Sequence, residues 1–105
     1  MRDFIKESSG NVYKDLGYAD AGSMKIKAGI VGRISQLMKE KNISQERVAE
    51  LTGMPPGRVA QILKGQFRGA SEYALLACLA SLGQDIEISC RQADGEKGKI
   101  VFAQY

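Results

Sequence analysis

The chain has 105 residues, 44% of them hydrophobic and 26% charged, with a net charge of +3 and no histidine. That length supports one hydrophobic core rather than two, and no apolar run is long enough to span a bilayer. The lack of histidine removes the commonest general base and the commonest zinc ligand, so no catalytic residues, no cofactor and no metal site are expected, and the chain is not read as an enzyme.

Residues 1–23 are interrupted by Ser8, Ser9, Gly10, Gly17 and Gly22, which break any long helix. They lack the charged-then-apolar pattern of a signal peptide, which leads us to expect a cytoplasmic protein. Within them Asn11 to Gly17 reads as one short helical turn, capped by Asn11 and ended by Gly17. Val12, Tyr13, Leu16 and Tyr18 give it an apolar side. So short a turn is unstable alone in water. It must pack on the domain, bind a partner or stay disordered.

From Met24 to Lys41 the pattern is helical, with Ile26, Ile30, Ile34, Leu37 and Met38 recurring at three- and four-residue spacings. Asn42 suits a left-handed position after it. Ser44 is the next N-cap, with Glu46 in the first turn. The helix it opens runs from Gln45 to Thr52, with Val48, Ala49 and Leu51 facing inward. Gly53 follows at once. A third helix is expected over Pro56 to Lys64, burying Val59, Ile62 and Leu63; proline suits its first position, where the N–H has no helical partner. Gly65 closes it.

Gln66 to Ala70 form a loop, and Ser71 caps a fourth helix reaching Leu82, with Leu75, Leu76, Leu79 and Leu82 inward and Gly83 as stop. The period then changes to two: Ile86, Ile88 and Cys90 alternate with Asp85, Glu87, Ser89 and Arg91. Ala93 to Gly98 is a polar turn region, and Lys99 to Tyr105 reads as a second strand, giving a C-terminal β-hairpin. Two strands alone are marginal, so they should lie on the helices or pair with a second subunit. Cys78 and Cys90 each sit in an apolar run and are expected to be buried, reduced thiols. The expected fold is mainly α: a partner-binding or partly disordered segment at 1–23, a helical domain at 24–83 and a hairpin at 84–105 that offers a dimer contact.

Charge is uneven along this plan. Residues 24–70 hold nine basic side chains against three acidic ones, and both flanking regions are slightly acidic. Such a basic middle is compatible with solvated helix faces and with a nucleic-acid footprint. The layout from Ser44 to Gly65 favours the second reading, because it is that of a helix-turn-helix. Ala49 is small where two helices cross, Gly53 permits the tight turn, and Val59 and Ile62 pack the second helix on the first. Arg58, Gln61 and Lys64 are left to face outward, where a helix in the major groove reads bases. Arginine and glutamine make bidentate contacts to guanine and adenine edges. Gln45 at a helix start suits a phosphate, and Lys64 and Arg68 can neutralise others.

The run from Ile30 to Leu82 resembles the lambda-repressor/Cro-like (XRE) family. Ser44-Gln45 matches the Ser-Gln pair that opens the family's second helix, and Ala49, Gly53 and Gly65 match its small residue, turn glycine and closing glycine. The family opens its recognition helix with Ser or Thr and then a polar residue, often glutamine. Here Pro55, Pro56 and Gly57 stand there. The resemblance places Pro56 and Gly57 at DNA, but neither carries a hydrogen-bonding side chain, which shifts base reading to Arg58 and Gln61.

A narrower resemblance extends beyond this run. Asn11-Val-Tyr-Lys-Asp-Leu-Gly-Tyr-Ala-Asp20, Gly65-Gln-Phe-Arg-Gly69 and Leu82-Gly-Gln-Asp-Ile-Glu-Ile88 are similar to HigA-type antitoxins. The resemblance implies a repressor of an operator in double-stranded DNA, paired with a small RelE/HigB-like toxin, an mRNA-cleaving ribonuclease; the symmetry of two recognition helices reading two half-sites leads us to expect a homodimer. It places the toxin contact on the N-terminal segment, with Val12, Tyr13, Leu16 and Tyr18. A stand-alone XRE-type regulator and a toxin-neutralising module with weak DNA binding are the other readings the residues allow.

Overall fold

A computed structural model describes residues 21–104. The N-terminal segment with Val12, Tyr13, Leu16 and Tyr18 lies outside the described residues, as does Tyr105. Four helices follow in order: α1 (Ala21–Lys41), α2 (Gln45–Thr52), α3 (Pro56–Leu63) and α4 (Glu72–Ser81). Helix α1 begins three residues before the expected Met24, because Ala21 is itself buried at its start.

Helix α1 is the spine. Ile30, Ile34 and Leu37 on its inner stripe share one core with Val48 of α2 and with Leu75 and Leu79 of α4, all at most 2% exposed. Full burial of one such side chain contributes about 1.5–3 kcal/mol. Val59 and Ile62 of α3, Phe67 and Leu82 complete the core. Polar links tie α1 to α4 at both ends. The Ser23 hydroxyl donates to the Glu72 carboxylate near the two helix starts. At the other end Lys41 Nζ donates to the Leu82 carbonyl at 3.1 Å, satisfying a carbonyl at the α4 terminus.

The helix boundaries follow local chemistry. Ser44 and Ser71 accept from Arg47 N and Ala74 N at 3.1 and 3.0 Å, capping α2 and α4 as expected. Asn42 takes the left-handed conformation at φ 55°. Helix α4 ends at Ser81, with Leu82 as its cap residue.

The C-terminal hairpin is not formed: among residues 84–104 there is no strand. Ile88 is 84% exposed and Ile100 is 78% exposed, so these alternating side chains find no apolar surface among the described residues. Ladder pairing alone leaves two strands marginal, and nothing here adds to it. Phe102 is the exception, half-buried against the core. Two smaller expectations also fail. Leu51 points outward at 37% exposure, and Cys90, on the unpaired segment, is exposed. Cys78 is buried, and burial pushes its thiol pKa up.

Candidate nucleic-acid interface

The interface is built on the α2–turn–α3 unit. Thr52 Oγ1 donates to the Val48 carbonyl at 2.7 Å and accepts from Met54 N at 3.3 Å, so one hydroxyl bridges helix end and turn. Gly53 takes φ 78°, and its N–H donates to Ala49 O at 2.8 Å. A side chain at that φ is strained, so the sharp turn needs glycine. Met54 then points back to the core. Pro55 caps α3 without a side-chain hydrogen bond, and Pro56 occupies the first helical position. The Pro55 carbonyl receives Arg58 N at 3.0 Å and Val59 N at 3.2 Å, so the two prolines start the helix through main-chain groups.

Burial of Val59 and Ile62 fixes the rotation of α3. Gly57, Gln61 and Lys64 then fall on one exposed face at i, i+4 and i+7. Arg58 does not share it. At 100° per residue it sits about 60° around the helix from Gln61, on the Ile62 side, and is only half-exposed. Its Nη2 lies 3.6 Å from where a Cβ on Gly69 would stand. The guanidinium therefore rests over the loop after α3, a contact that sequence spacing does not reveal. Gln61 stands on the outward face between Gly57 and Lys64 along the axis, and Arg58 lies beyond its edge.

The other expected contacts are exposed: Gln45 at the start of α2, Pro56 and Gly57 at the start of α3, Lys64 at its end and Arg68 beyond. Lys64 caps α3, its N–H donating to Ala60 O at 3.1 Å, and Gly65 reverses the chain at φ 101°. The loop after it is held down on both sides of Arg68-Gly69. Phe67 is 4% exposed and Ala70 is 7% exposed. Lys27 of α1, itself buried, donates from Nζ to the Arg68 carbonyl at 2.9 Å. Neither Lys27 nor Phe67 figured among the expected site residues. The signal for Lys27 was its place on the stripe that continues through Ile30, Ile34 and Leu37.

This surface presents a polar, cationic helix face with flanking groups suited to phosphates, the requirement for docking in a groove. Among the described residues no group of three or more His, Cys, Asp or Glu side chains could hold a metal ion. No described helix is long and apolar enough to cross a membrane.

Comparison with curated proteins and with solved structures yields no match. A family model described as a helix-turn-helix domain matches residues 12–91, spanning α1 to α4 together with the segment before them. The chain belongs to this helix-turn-helix domain family, which is XRE-like, and α2 and α3 form its helix-turn-helix pair.

Proposed function

We propose that the protein is a sequence-specific transcriptional repressor that also serves as the antitoxin of a RelE/HigB-like toxin, acting in the cytoplasm as a homodimer. The observation that carries the DNA half is the exposed Gly57–Gln61–Lys64 face of α3, flanked by Gln45 and Arg68. Two such faces roughly 34 Å apart read two half-sites one helical turn apart, which is the reason for a dimer. The exposed Ile88 and Ile100 make segment 84–104 the candidate contact between copies. The antitoxin half rests on the similarity of Asn11–Asp20 to HigA-type antitoxins. Val12, Tyr13, Leu16 and Tyr18 would fold on the toxin.

The test compares the full chain with one lacking residues 1–20, which leaves α1 whole. Each is assayed against a duplex selected from a random DNA pool and against the toxin-like protein of a neighbouring gene. Operator binding that survives the deletion while toxin binding is lost supports both roles. Operator binding with no toxin capture by either chain indicates a stand-alone regulator. Toxin capture without selection of any duplex indicates a neutralising module.

A further inference from the structure

Lys27 is 7% exposed, a charged side chain within the apolar stripe of α1. Burying an ammonium group costs free energy unless hydrogen bonds compensate. A methionine of similar length would fill the same space, and exchanging buried charge for apolar packing is often neutral or stabilising. Fold stability alone therefore gives no reason for lysine. Its hydrogen bond does. Nζ reaches across 41 residues of sequence to the carbonyl of Arg68, on the loop between the end of α3 and the start of α4. The same loop carries Gly69, over which the Arg58 guanidinium rests. One interior side chain thus sets the height of the backbone from which Arg68 projects, and of the surface that supports Arg58.

We infer that Lys27 is a positioning residue for DNA binding, acting through Arg68: it holds the Phe67–Ala70 loop so that Arg68 meets a phosphate. This rests on the DNA-binding reading above. Lys27 does not itself reach the nucleic acid. Its Nζ is directed inward to the loop carbonyl, and its charge also bears on Glu72 of α4.

The test is a double-mutant cycle of K27M and R68A in the full chain, titrated with a mixed-sequence DNA duplex at several salt concentrations, with thermal unfolding of each variant. R68A is expected to lower affinity about tenfold and to flatten the salt slope by about 0.9, as for one lost phosphate contact. K27M should lower affinity about fivefold and flatten the slope similarly, with its melting temperature unchanged or raised. In the R68A background K27M should cost less than about twofold, because the contact it positions is already gone. Wild-type affinity in K27M overturns the inference. So does a K27M penalty that persists in full beside R68A, as a direct charge effect would give. If K27M does not fold, K27Q is read in the same way, since its side chain is too short to reach the loop; failure of both to fold makes Lys27 a stability residue and overturns the inference. If the wild-type chain binds no duplex, the DNA-binding reading itself fails. If it binds and the cycle is additive, only the role of Lys27 falls.

Discussion

Phe102 closes on Gly29: a Cβ added to that glycine would stand 3.3 Å from the ring's Cδ2. The contact fastens the end of the C-terminal segment to the middle of α1, while Ile88 and Ile100 between the anchors remain outside. Glycine in mid-helix costs roughly 1 kcal/mol relative to alanine, and here the missing side chain makes room for the ring. Phe102→Ala is therefore expected to lower unfolding free energy by about 1–2 kcal/mol, in line with a half-buried aromatic. It should also open Arg91, Lys97 and Lys99 to trypsin, and Gly29→Leu should do the same by displacing the ring. Denaturant midpoints and digestion time courses check this; unchanged cleavage in both variants would refute the anchor.

Glu72 makes stability depend on pH. The Ser23 hydroxyl and then the residue's own backbone N–H hold its carboxyl below the ordinary 4.5; burial pushes upward by less than either, and the charge of Lys27 adds the smallest, downward, effect. A carboxyl whose value is lowered by folding contributes stability that is fully present above the ordinary value. That contribution fades as pH falls through the lower, folded value. Glu72→Gln should thus cost no more than about 1 kcal/mol at neutral pH, since water screens the pair. The deficit should shrink stepwise in acid below 4.5. Urea midpoints across that range test it, and a deficit constant with pH would assign the effect to packing instead.

What could be read from sequence was what local chemistry decides. Ser44 and Ser71 as caps, Asn42 and Gly53 as left-handed turns, and Pro56 at a helix start depend on neighbours within a few residues. The inner stripe of α1 was equally plain, because its period is its signal. The alternation after Gly83 misled because period two shows only that a segment could be a strand. A strand needs a partner, and residues 84–104 have none among the described residues. The contact of Arg58 with the loop was not legible for a different reason. Counting outward positions along α3 ignores the loop beyond it, and that loop's place depends on a hydrogen bond from Lys27, far back in sequence.

The rotation of α3 ranks its base readers. Gln61 stands on the exposed face, between Gly57 and Lys64 along the axis, and Arg58 lies beyond its edge. Gln61→Ala is expected to cost about 1–3 kcal/mol on the best site and to relax preference there. Arg58→Ala should relax preference less. Lys64→Ala should weaken all duplexes alike and lower the salt slope by about 0.9. Selection from a random pool with each variant measures both effects. Preference lost with Arg58→Ala but kept with Gln61→Ala would place the reading surface on the other side of the helix.

Gly57 offers the opposite experiment, adding a contact rather than removing one. It lies one turn before Gln61 on the same face, and a Cβ there would meet nothing within 4 Å. Its conformation is helical, so alanine is accepted without strain, and Gly57→Ala should raise stability by about 0.5–1 kcal/mol. Because the two prolines before it present no polar group, a longer donor at this position would be the first polar side chain of the helix. Gly57→Gln is thus expected to fold as well as the alanine variant and to select a different duplex from a random pool. It should gain a preference for adenine at one added position in each half-site, worth about 1–3 kcal/mol. If Gly57→Gln selects the same sequences as the wild type with the same discrimination, the start of α3 does not face the bases, and docking must be by the Gln61–Lys64 end alone.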